Sequence, residues 1–104
     1  MVFDVSKISG IGEFSVFKEN EDSASIFYRV NNRVFLVLNK NTLEMRTDEK
    51  LKKLLIGKYE SVMESRYFGR GGIEIVNSGQ LEKAELEDLI RLSYNLTKEI
   101  NEVI

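Results

Sequence analysis

The sequence predicts an α+β domain: an antiparallel sheet of about five strands, with a long C-terminal amphipathic helix packed on one face and a shorter helix between strands four and five. Three observations predict it. Residues 13–46 fall into short, strand-like runs rich in β-branched and aromatic residues, separated by turns rich in asparagine and acidic residues. Residues 86–103 place apolar side chains at three- and four-residue intervals, the period of a helix. The order is four strands, a helix, one strand and a helix, which suits antiparallel pairing with helices to one side. At 104 residues the chain is read as one domain, residues 1–104.

Each element has a local reason. In residues 13–18, Phe14 and Val16 alternate with Ser15 and Phe17. Residues 19–23 form a polar turn. Residues 25–30 put Ile26, Tyr28 and Val30 on one face of a second strand. Asn31-Asn32 supplies the left-handed backbone of a tight hairpin. Residues 33–38 are apolar on both faces, so this strand is expected to be central and covered on both sides. Asn39-Lys40-Asn41 turns into a shorter strand, residues 42–46, with Leu43 and Met45 on one side. The period then changes. Thr47 is the expected N-cap of a helix carrying Leu51, Leu54 and Leu55, and Gly57 its expected stop. Residues 59–63 are either a second short helix or an extended connector. Residues 65–72 read as a loop, residues 73–76 as the fifth strand, and Asn77-Ser78-Gly79 as a turn. The last helix carries Leu86, Leu89, Ile90, Ser93, Leu96, Thr97, Ile100 and Val103 on its apolar stripe, with Ser93 small enough for close packing.

Composition narrows the chemistry. The chain has no histidine and no cysteine, which excludes disulfides, the usual zinc sites and His-dependent nucleophilic triads. No cofactor or metal is expected. The longest apolar run, Val34 to Leu38, is far short of a membrane span. The N-terminus, Met1-Val2-Phe3-Asp4, lacks the blocks of a signal peptide, so a cytoplasmic setting without membrane contact is expected. The acidic groups Glu19, Glu21, Asp22 and Glu85, Glu87, Asp88 fall in a turn and on a solvent-facing helix side, where nothing shifts a pKa for acid catalysis, so no enzyme is expected.

The net charge of −2 is unevenly spread: residues 46–72 carry seven basic and four acidic groups, residues 73–104 three basic and seven acidic. The basic segment ends in Ser65-Arg66-Tyr67-Phe68-Gly69-Arg70-Gly71-Gly72. Arginine binds phosphate in a fork, aromatics stack on bases, and glycines allow close backbone approach. Arg66, Arg70, Lys50, Lys52, Lys53, Lys58 and Tyr67 are therefore the candidate residues for a weak, salt-dependent contact with nucleic acid. The plainer alternative packs Tyr67 and Phe68 at the core edge and pairs the arginines with Glu60 or Glu64. Gly69 to Gly72 lacks the spacing of a phosphate loop, and Gly10-Ile11-Gly12 lacks the third glycine of a dinucleotide site. Both read as turns.

Several stretches together resemble the YjbR/MmcQ family of small α+β proteins. These are Phe27 to Phe35 as a hairpin into the central strand, Ser65-Arg66 before a strand, Ser78-Gly79-Gln80-Leu81 before the last helix, and Leu86, Leu89-Ile90 and Ser93-Tyr94 within it. The resemblance covers residues 26–97. The chain departs from the family pattern in two places: the family usually begins with a helix and a proline-glycine turn, whereas here about ten residues precede the first strand, so that helix is expected to be short or missing, and Ile73 stands where the family tends to carry tryptophan. The resemblance also implies a "double-wing" arrangement linked with DNA binding, a fold-level analogy. The hairpin region is similar to the N-terminal domain of TfoX-type regulators, which implies the alternative of a protein-interaction or dimerisation module.

Overall fold

The structure is a computed structural model and describes residues 4–100. Val103 and the segment before Asp4, both used above, lie outside the described residues. A six-stranded antiparallel sheet has the order β1-β2-β3-β4-β6-β5, built from β1 (Ser15–Phe17), β2 (Ile26–Val30), β3 (Arg33–Leu38), β4 (Thr42–Arg46), β5 (Val62–Ser65) and β6 (Gly69–Val76). Helix α1 (Glu49–Lys58) joins β4 to β5, and α2 (Lys83–Lys98) closes the chain. No helix of the described residues is long and apolar enough to cross a membrane.

The sheet has one strand more than the five expected. Residues 62–65, within the undecided stretch, pair with β6, and β6 begins at Gly69 inside the expected loop. The loop is therefore a β-hairpin, and only Arg66, Tyr67 and Phe68 form its turn. Gly69, at φ 59°, takes the left-handed conformation that ends it.

Both helices pack on the same face of the sheet. The core between them gathers Tyr28, Phe35, Leu36, Leu43, Met45, Leu55, Ile73, Ile75, Leu86, Ile90 and Tyr94. The Asn31-Asn32 turn has φ of 51° and 64°, the primed hairpin geometry expected of two asparagines. A bulge follows it: Tyr28 pairs with Leu36 and Arg29 with Val34, which leaves Phe35 as the extra residue. Phe35 and Leu36 consequently both enter the helix-side core, while Val34 and Val37 face the other side. This is why the strand reads as an unbroken apolar run. The second face needs no outside cover here, since Phe17, Phe27 and Phe68 pack over Val34 and Val37.

The bulge leaves backbone groups to be satisfied, and Ser93 satisfies them. Its hydroxyl, fully buried, donates to the Phe35 carbonyl at 2.6 Å and accepts from the Arg46 N–H at 2.8 Å. Ser93 thus bonds α2 to β3 and β4 as well as allowing their close approach. The buried stripe of α2 is Leu86, Leu89, Ile90, Ser93, Tyr94 and Thr97. Leu96 and Ile100, expected on it, instead join Leu92 in a second ridge that stays partly exposed, because each of Leu92 and Leu96 sits one residue, about 100° of helix rotation, from the buried Ser93 and Thr97.

Two helix boundaries differ from expectation. The N-cap of α1 is Asp48, whose carboxylate accepts from the Leu51 N–H at 2.7 Å; Thr47 is buried one residue earlier, its N–H bonded to the Gly71 carbonyl. Gly57 lies inside α1, which ends where Tyr59 turns extended. At the N-terminus, the short 3-10 turn Val5–Lys7 takes the place of a helix, with Val5 and Ile8 reaching the core. Tyr94 fastens the segment after it by donating to the Glu13 carbonyl at 2.9 Å.

Candidate functional site

The face of the sheet that carries no helix holds the chemistry. Glu44 on β4 and Glu74 on β6 are direct cross-strand neighbours on that face. They are 4% and 2% exposed. Like charges opposite one another destabilise a sheet, and buried carboxylates need donors. Both demands are met largely by the β5–β6 hairpin.

Arg66 binds Glu74 with both arms of its fork, Nε to Oε1 at 2.9 Å and Nη2 to Oε2 at 2.7 Å. Thr42 adds a hydroxyl bond to Oε2 at 2.8 Å. The bond from Arg66, outweighing burial, holds the Glu74 carboxyl below the usual carboxylate range, and the same bond raises the Arg66 guanidinium. Glu44 Oε1 accepts from the Ser65 hydroxyl at 2.8 Å and from the Tyr67 N–H at 2.9 Å. Its Oε2 accepts from the Asn39 side-chain amide at 2.8 Å. Asn39 in turn donates to Thr42 and accepts from the Ser25 hydroxyl at 2.6 Å. The two glutamates therefore fold the turn Arg66-Tyr67-Phe68 down onto the sheet.

That fold requires Gly72. A Cβ there would lie 2.5 Å from the Met45 carbonyl oxygen and 2.7 Å from Phe68 Cβ. With the turn in place, four rings run side by side across the face: Phe17 on Phe27 at 5.0 Å, Phe27 on Tyr67 at 5.4 Å, and Tyr67 on Phe68 at 4.9 Å. Arg29 caps this row over Phe17 at 4.2 Å, and Arg46 over Phe68 at 4.9 Å. Tyr67 is half-exposed.

Beside this row lies an open depression of about 620 Å³, within the size range of small-molecule sites. Phe27, Val37 and Tyr67 give it an apolar side. Ser25, Asn39, Thr42 and Glu44 give it a polar wall, with Glu19, Lys40 and Arg66 also lining it.

The sequence candidates do not converge on this place. Arg66 and Tyr67 belong to it. Lys52 is buried, its ammonium bonded to Glu64 and to the Arg70 carbonyl at 3.2 Å. Lys50 and Lys53 are exposed on the outward side of α1, and Lys53 pairs with Glu49 at 4.0 Å. Lys58, at the end of the same helix, lies over the Tyr59 ring at 5.2 Å. Arg70 is exposed at the start of β6. Arg66 is paired, as the plainer alternative had it, but with Glu74 rather than Glu60 or Glu64. Glu44 and Glu74 escaped sequence reasoning because Leu43-Glu44-Met45 and Ile73-Glu74-Ile75 alternate like a strand with one solvated face. Among the described residues, no group of three or more acidic side chains is placed to hold a metal ion.

These features define a small α+β domain with a polar and aromatic depression on the helix-free face of its sheet. No protein-family model matches the sequence, and no curated protein sequence matches it. The fold is similar to the crystal structure of Deinococcus radiodurans protein DR2400, a DUF419 domain, with a TM-score of 0.78 and 14% identity over 90% of this chain and 75% of that one. At that identity the likeness establishes the fold alone.

Proposed function

We propose that the chain is a small, non-catalytic binding domain of YjbR/MmcQ type, cytoplasmic, that receives its ligand in the depression on the helix-free face. The depression itself carries this reading. It joins an exposed ring to convergent polar groups, and its floor is held by the side-chain network of Asn39, Thr42, Glu44, Arg66 and Glu74, with the β1–β2 loop at its rim. The same network speaks against catalysis. Arg66 keeps Glu74 ionised, Glu44 is occupied by three neighbouring donors, and the chain has neither histidine nor cysteine to pair with them. The test is thermal stabilisation by a panel of amines, amino acids, nucleosides and sugars. Compounds that raise Tm should lose their effect in Ala24→Trp, which plugs the depression from an exposed lining position, and keep it in Lys50→Glu/Lys53→Glu. The reverse pattern refutes the reading.

A second reading keeps nucleic acid as the ligand. The observation that favours it is the exposure of Lys50, Lys53, Lys58 and Arg70 around α1. With Lys52 and Arg66 engaged internally, these four cations would give a salt slope of about −3 to −4 on duplex DNA. Anisotropy of labelled DNA across a salt series tests it, and a flat response excludes it. The protein-interaction alternative rests on Leu92 and Leu96 of α2 and Ile100 just beyond its end, each more than a third exposed. Light scattering that returns a monomer with Leu96→Glu unchanged in mass counts against self-association.

A further inference from the structure

The two facing glutamates are treated unequally by the fold. Glu74 has a guanidinium. Glu44 accepts hydrogen bonds from Asn39, Ser65 and Tyr67, yet among the described residues no cation lies within ion-pairing distance of it. A carboxylate offers about four lone-pair directions. Oε1 has two donors and Oε2 has one, so Oε2 retains a free acceptor place. Arg66 attracts Glu44 through space, but both arms of its fork are bonded to Glu74, so this cation is shared and makes no direct bond to Glu44; a buried charge so served is costly, and the depression opens beside it. The half-exposed Tyr67 ring and Phe27, in contact at 5.4 Å, line the same depression and offer it the electron-rich surface that attracts a cation. Glu19 at the margin adds a second negative charge.

Resting on the proposed role of the depression, we infer that it takes a primary ammonium group, seated between the Glu44 carboxylate and the Tyr67 ring. Lys40 and Arg66 also line the space. Arg66 is held to Glu74, so its charge is already answered, and Lys40 is an exposed, flexible side chain that can swing to solvent. The ammonium would supply Glu44 with the counter-charge that Arg66 supplies to Glu74. No bond is made or broken. Its source is either a free amine or a lysine side chain, since both present the same group.

The experiment is amide and side-chain chemical-shift titration of the full chain with n-butylammonium, with Nα-acetyl-lysine amide as the side-chain arm and sodium butyrate as the anionic control. Saturable shifts are expected at the Tyr67 amide and the Asn39 side-chain amide, both of which donate to Glu44, with a Kd of about 1 mM for so small a ligand. Butyrate should cause none. Tyr67→Ala keeps the backbone bond to Glu44 and should weaken the amine roughly fivefold. Glu44→Gln, if its circular dichroism shows it folded, should abolish binding. The inference is overturned if neither amine gives saturable shifts at tens of times that concentration, if butyrate matches them, or if both variants bind as wild type. Should a nucleoside or sugar show Ala24→Trp-sensitive stabilisation while the amines do not bind, the ammonium assignment falls and the depression remains a ligand site. Should no panel compound act there, both fall.

Discussion

Replacing Ser93 by alanine removes one hydroxyl and strands two backbone groups. The hydroxyl bridges the carbonyl of Phe35, the extra residue of the bulge, and the N–H of Arg46, at 2.6 and 2.8 Å, in a site with no solvent exposure. Water cannot replace it without opening the helix–sheet contact. A buried donor or acceptor left unpaired costs about 1–3 kcal/mol. With two such groups, less the desolvation no longer needed for the hydroxyl, Ser93→Ala should cost about 3 kcal/mol. For a domain of this size that lowers Tm by about 15 °C. Urea and thermal unfolding followed by far-UV circular dichroism measure it. Thr97→Val is the control. Thr97 is equally buried, but its hydroxyl only adds a bond to the Ser93 carbonyl within the same helix, so its loss should cost under about 1 kcal/mol. Equal, small effects of the two substitutions would refute the view that Ser93 satisfies the bulge.

Three further outcomes are expected. Gly72→Ala forces a Cβ into the Met45 carbonyl and Phe68, costing about 1–3 kcal/mol and moving the Tyr67 and Phe68 amide resonances; a neutral result would mean that the turn is not held against the sheet. Arg66→Ala should shift acid unfolding to higher pH. The folded-state pKa of Glu74 lies below its unfolded value, so its contribution is complete above the ordinary carboxylate range and fades as pH falls through the folded value; without Arg66 that fading begins earlier, which a pH titration by circular dichroism checks. Asn32→Ala places an alanine at φ 64°, costing about 1 kcal/mol in urea unfolding, while Asn32→Gly should be near neutral.

Much of the fold was legible because local chemistry and tertiary structure agree. Asn31-Asn32 fixes a hairpin whatever surrounds it, and the helical period of residues 86–97 survives in the buried stripe of α2. The departures share a cause: a side chain's partner lies far along the chain. Residues 62–65 carry no alternation, with Val62 and Ser65 buried and Met63 and Glu64 exposed, and become a strand because β6 offers an edge. Phe35 is one apolar residue among five until its pairing with β2 makes it a bulge. The candidate site was legible in part. Arg66 and Tyr67 stood out by composition, but their place depends on Glu44 and Glu74, two ordinary-looking strand residues brought opposite each other by the insertion of β6 between β4 and β5. The cluster of lysines read as one patch because they are close in sequence. Helix α1 turns Lys52 inward and Lys50 and Lys53 outward, while Arg66 leaves from the hairpin onto the opposite face.

Recognition is proposed to belong to the helix-free face, with Arg66 and Tyr67, and not to the exposed cations Lys50, Lys53, Lys58 and Arg70 around α1. Mapping amide shifts on titration with n-butylammonium and, separately, with a short single-stranded DNA tests it most directly. The amine is expected to move Asn39, Thr42, Glu44 and Tyr67, and DNA to produce no saturable shifts there. Saturable shifts confined to Lys50, Lys53, Lys58 and Arg70 with DNA, and none around Glu44 with the amine, would contradict it.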